Sequence, residues 1–304
     1  MQAQSVILKE DIPSAALARP FAYVVYLPKG YAQGDKRYPV LYLLHGAGGD
    51  EATWTKEGAV QTTVDRLIDA GSIPPAIIVM PGCKTCWWVD GAQDRAETAF
   101  WNELVPSISR RYRVIEGRRG RLIAGLSAGG YGAVRFAMRY PERVAAIAAL
   151  SPAVYADLPP EISAARAQPP FRKADGSFDD RAWKEKNYPS SIDAYFAQPN
   201  KVAFYLMSGD NDRYGIAFET VTLFKRLYDR QPELAELRIV DGDHSWGVWS
   251  LALGNALPFL FRHADKPQPM LMAAAPPNAP HGPPSPAPAH KLPATATSPL
   301  PLFP

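Results

Sequence analysis

The chain has 304 residues, 47% hydrophobic and 21% charged, close to an average globular sequence, which excludes global disorder, a collagen-like repeat and a coiled coil. Its 33 Lys and Arg against 30 Asp and Glu leave a formal charge of +3, too little for a long-range field favouring nucleic acid or an anionic membrane. No apolar run reaches the roughly 18 residues of a membrane span, and the N-terminus lacks the basic and apolar regions of a signal peptide.

From the N-terminus, apolar strand segments alternate with amphipathic helical ones, the pattern of a mainly parallel α/β sheet covered on both faces. Strands are expected at 21–27, 39–44, 76–80, 121–124, 144–150, 202–207 and 237–240. Helices are expected at 60–70, 96–112, 128–140, 216–230 and 248–263. Pro141 stands where it stops the third of these helices, since proline cannot extend one. Residues 153–200 break the alternation. An irregular excursion of this kind in an open α/β sheet usually lies over the carboxyl ends of the strands, where ligands bind. The arginines at 110, 111, 113, 118, 119 and 121 read as a solvated loop. From 267 to 304 the composition changes: 13 of the 31 prolines fall there. Lacking ladder donors and a periodic apolar face, that segment is expected to be a flexible tail, which leaves 1–266 as the folded α/β domain that would carry any site.

The densest chemistry is Gly125-Leu126-Ser127-Ala128-Gly129, a Gly-x-Ser-x-Gly placed between an apolar strand and a helix. A sharp strand-to-helix turn needs small residues on both sides of the serine, and it presents the hydroxyl at the top of the sheet. A serine hydroxyl attacks at neutral pH only with a base within hydrogen-bond reach. Of the five histidines, His281 and His290 lie in the proline-rich tail, His263 closes the last helix and His45 belongs to an earlier motif. His244, after the 237–240 strand, remains, and the order nucleophile, acid, histidine suits it. The acid belongs after the preceding strand, where Asp210 and Asp212 both stand. Asp212 is farther along the turn and can curl back to the imidazole, whereas Asp210 is placed to cap the following helix. A tetrahedral oxyanion needs donors, and His45-Gly46-Ala47-Gly48-Gly49 follows a strong strand where such a loop belongs. The N–H groups of Ala47 and Ala128 are the expected pair, with His45 bracing the loop.

His45-Gly-Ala-Gly-Gly with Trp54 close behind, Pro81-Gly82 leading to Trp87-Trp88-Val89-Asp90, Glu97-Thr-Ala-Phe100, Gly-Leu-Ser-Ala-Gly-Gly-Tyr-Gly-Ala and His244-Ser-Trp246 together resemble the esterase D, feruloyl esterase and antigen 85 family of α/β-hydrolases. The resemblance runs from about residue 20 to 262. It implies the α/β-hydrolase fold and a serine carboxylesterase that uses no metal or organic cofactor, with Ser127, Asp212 and His244 as its triad. The partner it implies is a small or polysaccharide-linked ester, with no nucleic acid and no membrane span. Cys83 and Cys86, next to the tryptophan pair, depart from the family pattern. They are either a small-loop disulfide, which would suit an oxidising compartment, or two free thiols. Trp87, Trp88 and Trp246 are expected to wall an aromatic cleft suited to flat aryl or short acyl groups, such as hydroxycinnamate or acetyl esters. An acyltransferase to a carbohydrate, or a siderophore or thioester hydrolase, would use the same catalytic residues.

Overall fold

The computed structural model describes residues 4–84, 86–92 and 94–270. Strands β1 (Val6–Ile12), β2 (Phe21–Leu27), β4 (Val40–Leu44), β5 (Ile77–Pro81), β6 (Arg121–Leu126), β7 (Ala146–Leu150), β8 (Ala203–Gly209) and β9 (Ala235–Val240) form an eight-stranded sheet. Its order is β1-β2-β5-β4-β6-β7-β8-β9. The β1–β2 and β2–β5 pairs are antiparallel and all the others are parallel. This is the α/β-hydrolase architecture.

Every residue of β4, β5 and β7 is buried, because helices cover both faces of the sheet. The two-residue period sorts their side chains. Tyr42, Leu44, Ile123 and Ile147 join a core with α4 (Val105–Arg111), α5 (Ala128–Arg139) and α8 (Ile216–Tyr228). Leu41, Leu43, Leu122 and Ala148 join the opposite core with α2 (Val60–Asp69) and α9 (Trp246–Arg262).

The main departures from expectation have local causes. β1 carries an exposed edge, so it lacks a continuous apolar run. The helix expected at 96–112 divides into α3 (Ala96–Thr98), a π-helical turn (Ala99–Leu104) and α4, with a proline in the first turn of α4. Pro106 has no N–H to continue the α-ladder, which accounts for the change of hydrogen-bond pattern there. A short α1 (Thr53–Lys56) follows the glycine loop. The arginine run is only partly solvated: Arg110, Arg111 and Arg119 are exposed, Arg119 pairing with Asp265, whereas Arg118 donates to the carbonyls of Pro141 and Lys201 and Arg121 to Arg143 O.

The excursion carries α6 (Asp180–Lys186) and α7 (Ile192–Ala197), and the Asp179 side chain caps α6 by accepting from Ala182 N–H. It is fastened to the domain by Tyr131 Oη and Arg135, which both donate to Lys186 O at 2.6 Å. Glu97, almost fully buried, accepts from Arg135, Arg139 and Tyr140 and so ties α3 to α5. At the far end, β10 (Gln268–Pro269) pairs antiparallel with β3 (Lys36–Arg37). The flexible segment expected from 267 onward therefore cannot begin there; the rest of that expectation, 271–304, lies outside the described residues. Among the described residues no helix is long and apolar enough to cross a membrane.

Candidate active site

Adjacent parallel strands end level with one another: Leu44 pairs with Gly125, Leu126 with Leu150, Leu150 with Met207, and Gly209 with Val240. The loops after β4, β6, β8 and β9 therefore open on the same side of the sheet, and each carries one of the expected residues. Ser127 sits between β6 and α5 at φ 52° and ψ −115°, a left-handed conformation that a non-glycine residue adopts only where its surroundings enforce it. The flanking glycines explain how. A Cβ on Gly125 would lie 2.4 Å from the carbonyl of Gly129, and one on Gly129 would lie 2.4 Å from Leu44 O. Neither contact can be relieved by a side-chain rotation, so the turn admits glycine alone at both places.

His244 bridges the site. Its Nε2 lies 3.0 Å from Ser127 Oγ and its Nδ1 2.6 Å from Asp212 Oδ2. A carboxylate only accepts, so Nδ1 donates to Asp212, and in the neutral ring Nε2 is left with its lone pair toward the serine hydroxyl. The other Asp212 oxygen accepts from Tyr214 N–H at 3.0 Å, and the Asp212 side chain is wholly shielded from solvent. Asp210 is exposed and accepts instead from Gly242 N–H at 3.1 Å; it holds the β9 loop and caps no helix. Edge-on rings hold the imidazole on either side, Tyr214 at 4.9 Å and Trp249 at 4.8 Å between centroids.

The hydroxyl opens on a cavity of about 260 Å³ lined by Gly46 and Ala47 from the glycine loop, by Ala153, Tyr155 and Ser163 from the excursion, and by Trp87, Tyr214, Trp246 and Trp249. Ala47 thus borders the cavity onto which the hydroxyl opens. Ala128 is the first residue of α5, and the first N–H groups of a helix have no intrahelical acceptor. His45 is fully enclosed; Cys83 N–H donates to its Nε2 at 3.1 Å and its Nδ1 lies 2.7 Å from Gly46 O. Burial pushes its pKa down to about 4, so the ring is neutral near pH 7.

Of the three expected cleft tryptophans, Trp87 and Trp246 line the cavity and Trp88 does not. Trp88 is 1% exposed, packs its ring 5.0 Å from that of His45 and donates from Nε1 to His45 O at 3.0 Å. It is a core residue behind the glycine loop, which corrects its assignment to the cleft wall. Cys83 and Cys86 form a disulfide. Tyr155, Tyr214 and Trp249 are site residues that the motifs did not reveal. Trp249 had a weak signal, lying one helical turn beyond Trp246, whereas Tyr155 arrives from a segment with no periodic pattern. Among the described residues no group of three or more His, Cys, Asp or Glu could hold a metal ion.

Comparison with known proteins gives the same family. A 152-residue stretch, 47% of the chain, is 35% identical to an endo-1,4-beta-xylanase/feruloyl esterase of Xylanibacter ruminicola, and it spans only 21% of that relative's length. An acetyl esterase of Caldicellulosiruptor saccharolyticus is 22% identical over 232 residues, covering 74% of this chain and 84% of the relative. A solved ferulic acid esterase superposes with a TM-score of 0.72 at 29% identity over 86% of this chain and 98% of that one. The family model described as "Putative esterase" matches residues 14–260, and the chain belongs to this esterase family.

Proposed function

We propose that the chain is a serine carboxylesterase that cleaves short acyl or aryl esters through an acyl-enzyme. The observation that supports this most is the unbroken hydrogen-bonded line from Ser127 Oγ through His244 to Asp212, at 3.0 and 2.6 Å, opening on an aromatic-walled cavity. In this reading His244 Nε2 takes the proton as Ser127 Oγ attacks the ester carbonyl. Asp212 holds the ring in its Nδ1–H tautomer and stabilises the imidazolium that forms. Ala47 and Ala128 N–H receive the oxyanion, and a single such donor is worth on the order of 10²- to 10³-fold in turnover. The imidazolium then returns its proton to the leaving alcohol, and water, deprotonated by the same ring, releases the acid.

The cavity volume and its flat walls suit a short or aromatic acyl group better than a long fatty chain. The names of the relatives, feruloyl and acetyl esterases, favour hydroxycinnamate and acetyl esters of plant polysaccharide as the substrate class. A panel of p-nitrophenyl esters from acetate to palmitate, with methyl ferulate beside it, tests the proposal. Turnover should be fastest on the short or aryl esters and vanish in Ser127→Ala with the fold intact. Preference for palmitate would overturn the substrate class, and undiminished turnover by Ser127→Ala would overturn the mechanism.

A further inference from the structure

The loop after β5 contains the Cys83–Cys86 disulfide and touches the glycine loop at two peptide groups. Cys83 N–H donates to His45 Nε2 at 3.1 Å. That ring nitrogen is therefore an acceptor, so the proton of the neutral imidazole sits on Nδ1 and is donated to Gly46 O at 2.7 Å. The Gly46 carbonyl and the Ala47 N–H belong to one planar peptide unit and point in opposite directions, so fixing the carbonyl fixes the direction of the N–H. The peptide unit before it is held as well, because Trp88 Nε1 donates to His45 O at 3.0 Å. His45 is buried against the backbone of Gly49, whose own N–H also donates to Gly46 O at 3.2 Å, so ring and carbonyl are held together in one compact turn.

The donor end of this relay stands on an improbable backbone. Lys84, Trp87 and Trp88 adopt φ of 60°, 46° and 56°, three non-glycine residues in the left-handed region, a conformation that persists only where the surroundings over-determine it. The disulfide joins Cys83 to Cys86, immediately before Trp87 and Trp88; Trp88 N–H points at Cys86 Sγ (3.3 Å), and Arg19 donates to Cys83 O at 3.0 Å.

We propose that the Cys83–Cys86 disulfide is a positioning element of the ester-cleaving site: it holds Cys83 N–H against His45 Nε2, and His45 in turn aims the Ala47 N–H at the oxyanion. The proposal rests on the triad and oxyanion assignment above. Its consequence is that turnover depends on the thiol state. A dithiol reductant transfers two electrons and two protons to the disulfide, leaving two thiols and becoming oxidised itself. The released loop then relaxes from its left-handed turns, and the donor is mis-aimed rather than deleted.

The test uses the full chain, comparing the oxidised protein, protein reduced by dithiothreitol with thiol content checked by alkylation and mass, and the double variant Cys83→Ser, Cys86→Ser. Both disulfide-free forms should lose about tenfold or more in kcat on p-nitrophenyl acetate, with KM within about twofold, because only the transition state presents the oxyanion. The route through His45 is read separately. His45→Asn keeps a donor for Gly46 O but severs the link to Cys83, so in that background removing the disulfide should cost no further kcat. Unchanged kcat in disulfide-free protein, a loss expressed in KM alone, or a full additional loss in the His45→Asn background would each overturn the proposal. Ser127→Ala separates this from failure of the underlying reading: if it is inactive while disulfide removal is silent, only the positioning role falls.

Discussion

Asp212→Asn exchanges one carboxylate oxygen for an NH2 and leaves the shape of the buried side chain unchanged, so its effect isolates the tautomer of His244. Oδ1 of Asp212 accepts from Tyr214 N–H, and the asparagine oxygen should stay with that donor, turning its NH2 toward His244 Nδ1. The ring can then meet it only with a lone pair on Nδ1, which moves the proton to Nε2, 3.0 Å from Ser127 Oγ. In that tautomer the imidazole faces the nucleophile as a donor and cannot take its proton. The equivalent change in a well-studied serine protease costs roughly 10⁴-fold in kcat, or about 5 kcal/mol of transition-state stabilisation. A loss of that order is expected here, because the Asp212 side chain is fully shielded and water cannot substitute for it. Asp210→Asn should cost far less, since the exposed side chain keeps an oxygen for Gly242 N–H. The assay is steady-state hydrolysis of p-nitrophenyl acetate, with Tm measured to show that both variants fold. An Asp212→Asn protein with more than a tenth of wild-type kcat, or one more active than Asp210→Asn, would refute the tautomer argument.

Other consequences are as direct. Trp87→Ala should raise KM for methyl ferulate more than for p-nitrophenyl acetate, whereas Trp88→Ala should lower stability by about 3–5 kcal/mol in denaturant titration with no change in selectivity; equal selectivity effects from both would contradict their different placement. Gly129→Ala puts a methyl group 2.4 Å from Leu44 O, so a soluble variant with wild-type Tm would show that the elbow is not as tight as described. Stability should also fall in mild acid. His45 titrates near 6.5 when unfolded but is pushed to about 4 when buried, so between these values the unfolded chain binds more protons. The contribution is complete above about pH 6.5 and declines as pH falls toward 4, by up to about 3 kcal/mol. His45→Asn should flatten the slope of unfolding free energy against pH over this window, leaving the part that His263, also lowered by burial, contributes; an unchanged slope would contradict the burial of His45.

What the sequence by itself determined were the features that depend on near neighbours. A strand buried on both faces must be apolar throughout, so β2, β4, β6, β7 and β8 announced themselves within two or three residues of their ends, as did the helices that cover them. The Gly-x-Ser-x-Gly turn was legible because its glycines are demanded by contacts within five residues and with the adjoining strand. Chain order then selected His244, and the length of the turn after β8 favoured Asp212. Tertiary structure decided everything that depends on which segments meet. Only the path of the loop after β8 shows that Asp212 reaches the imidazole while Asp210, two residues earlier, binds Gly242. Only packing places Trp87 at the cavity and Trp88 behind the glycine loop, because both are buried and adjacent residues of like chemistry carry no sign of which one borders the site. Tyr155 comes from an excursion with no periodicity, so no pattern marked it. The hydrogen bond from Cys83 to His45 joins residues 38 positions apart, and its effect on the Ala47 peptide follows from peptide planarity once those positions are brought into contact.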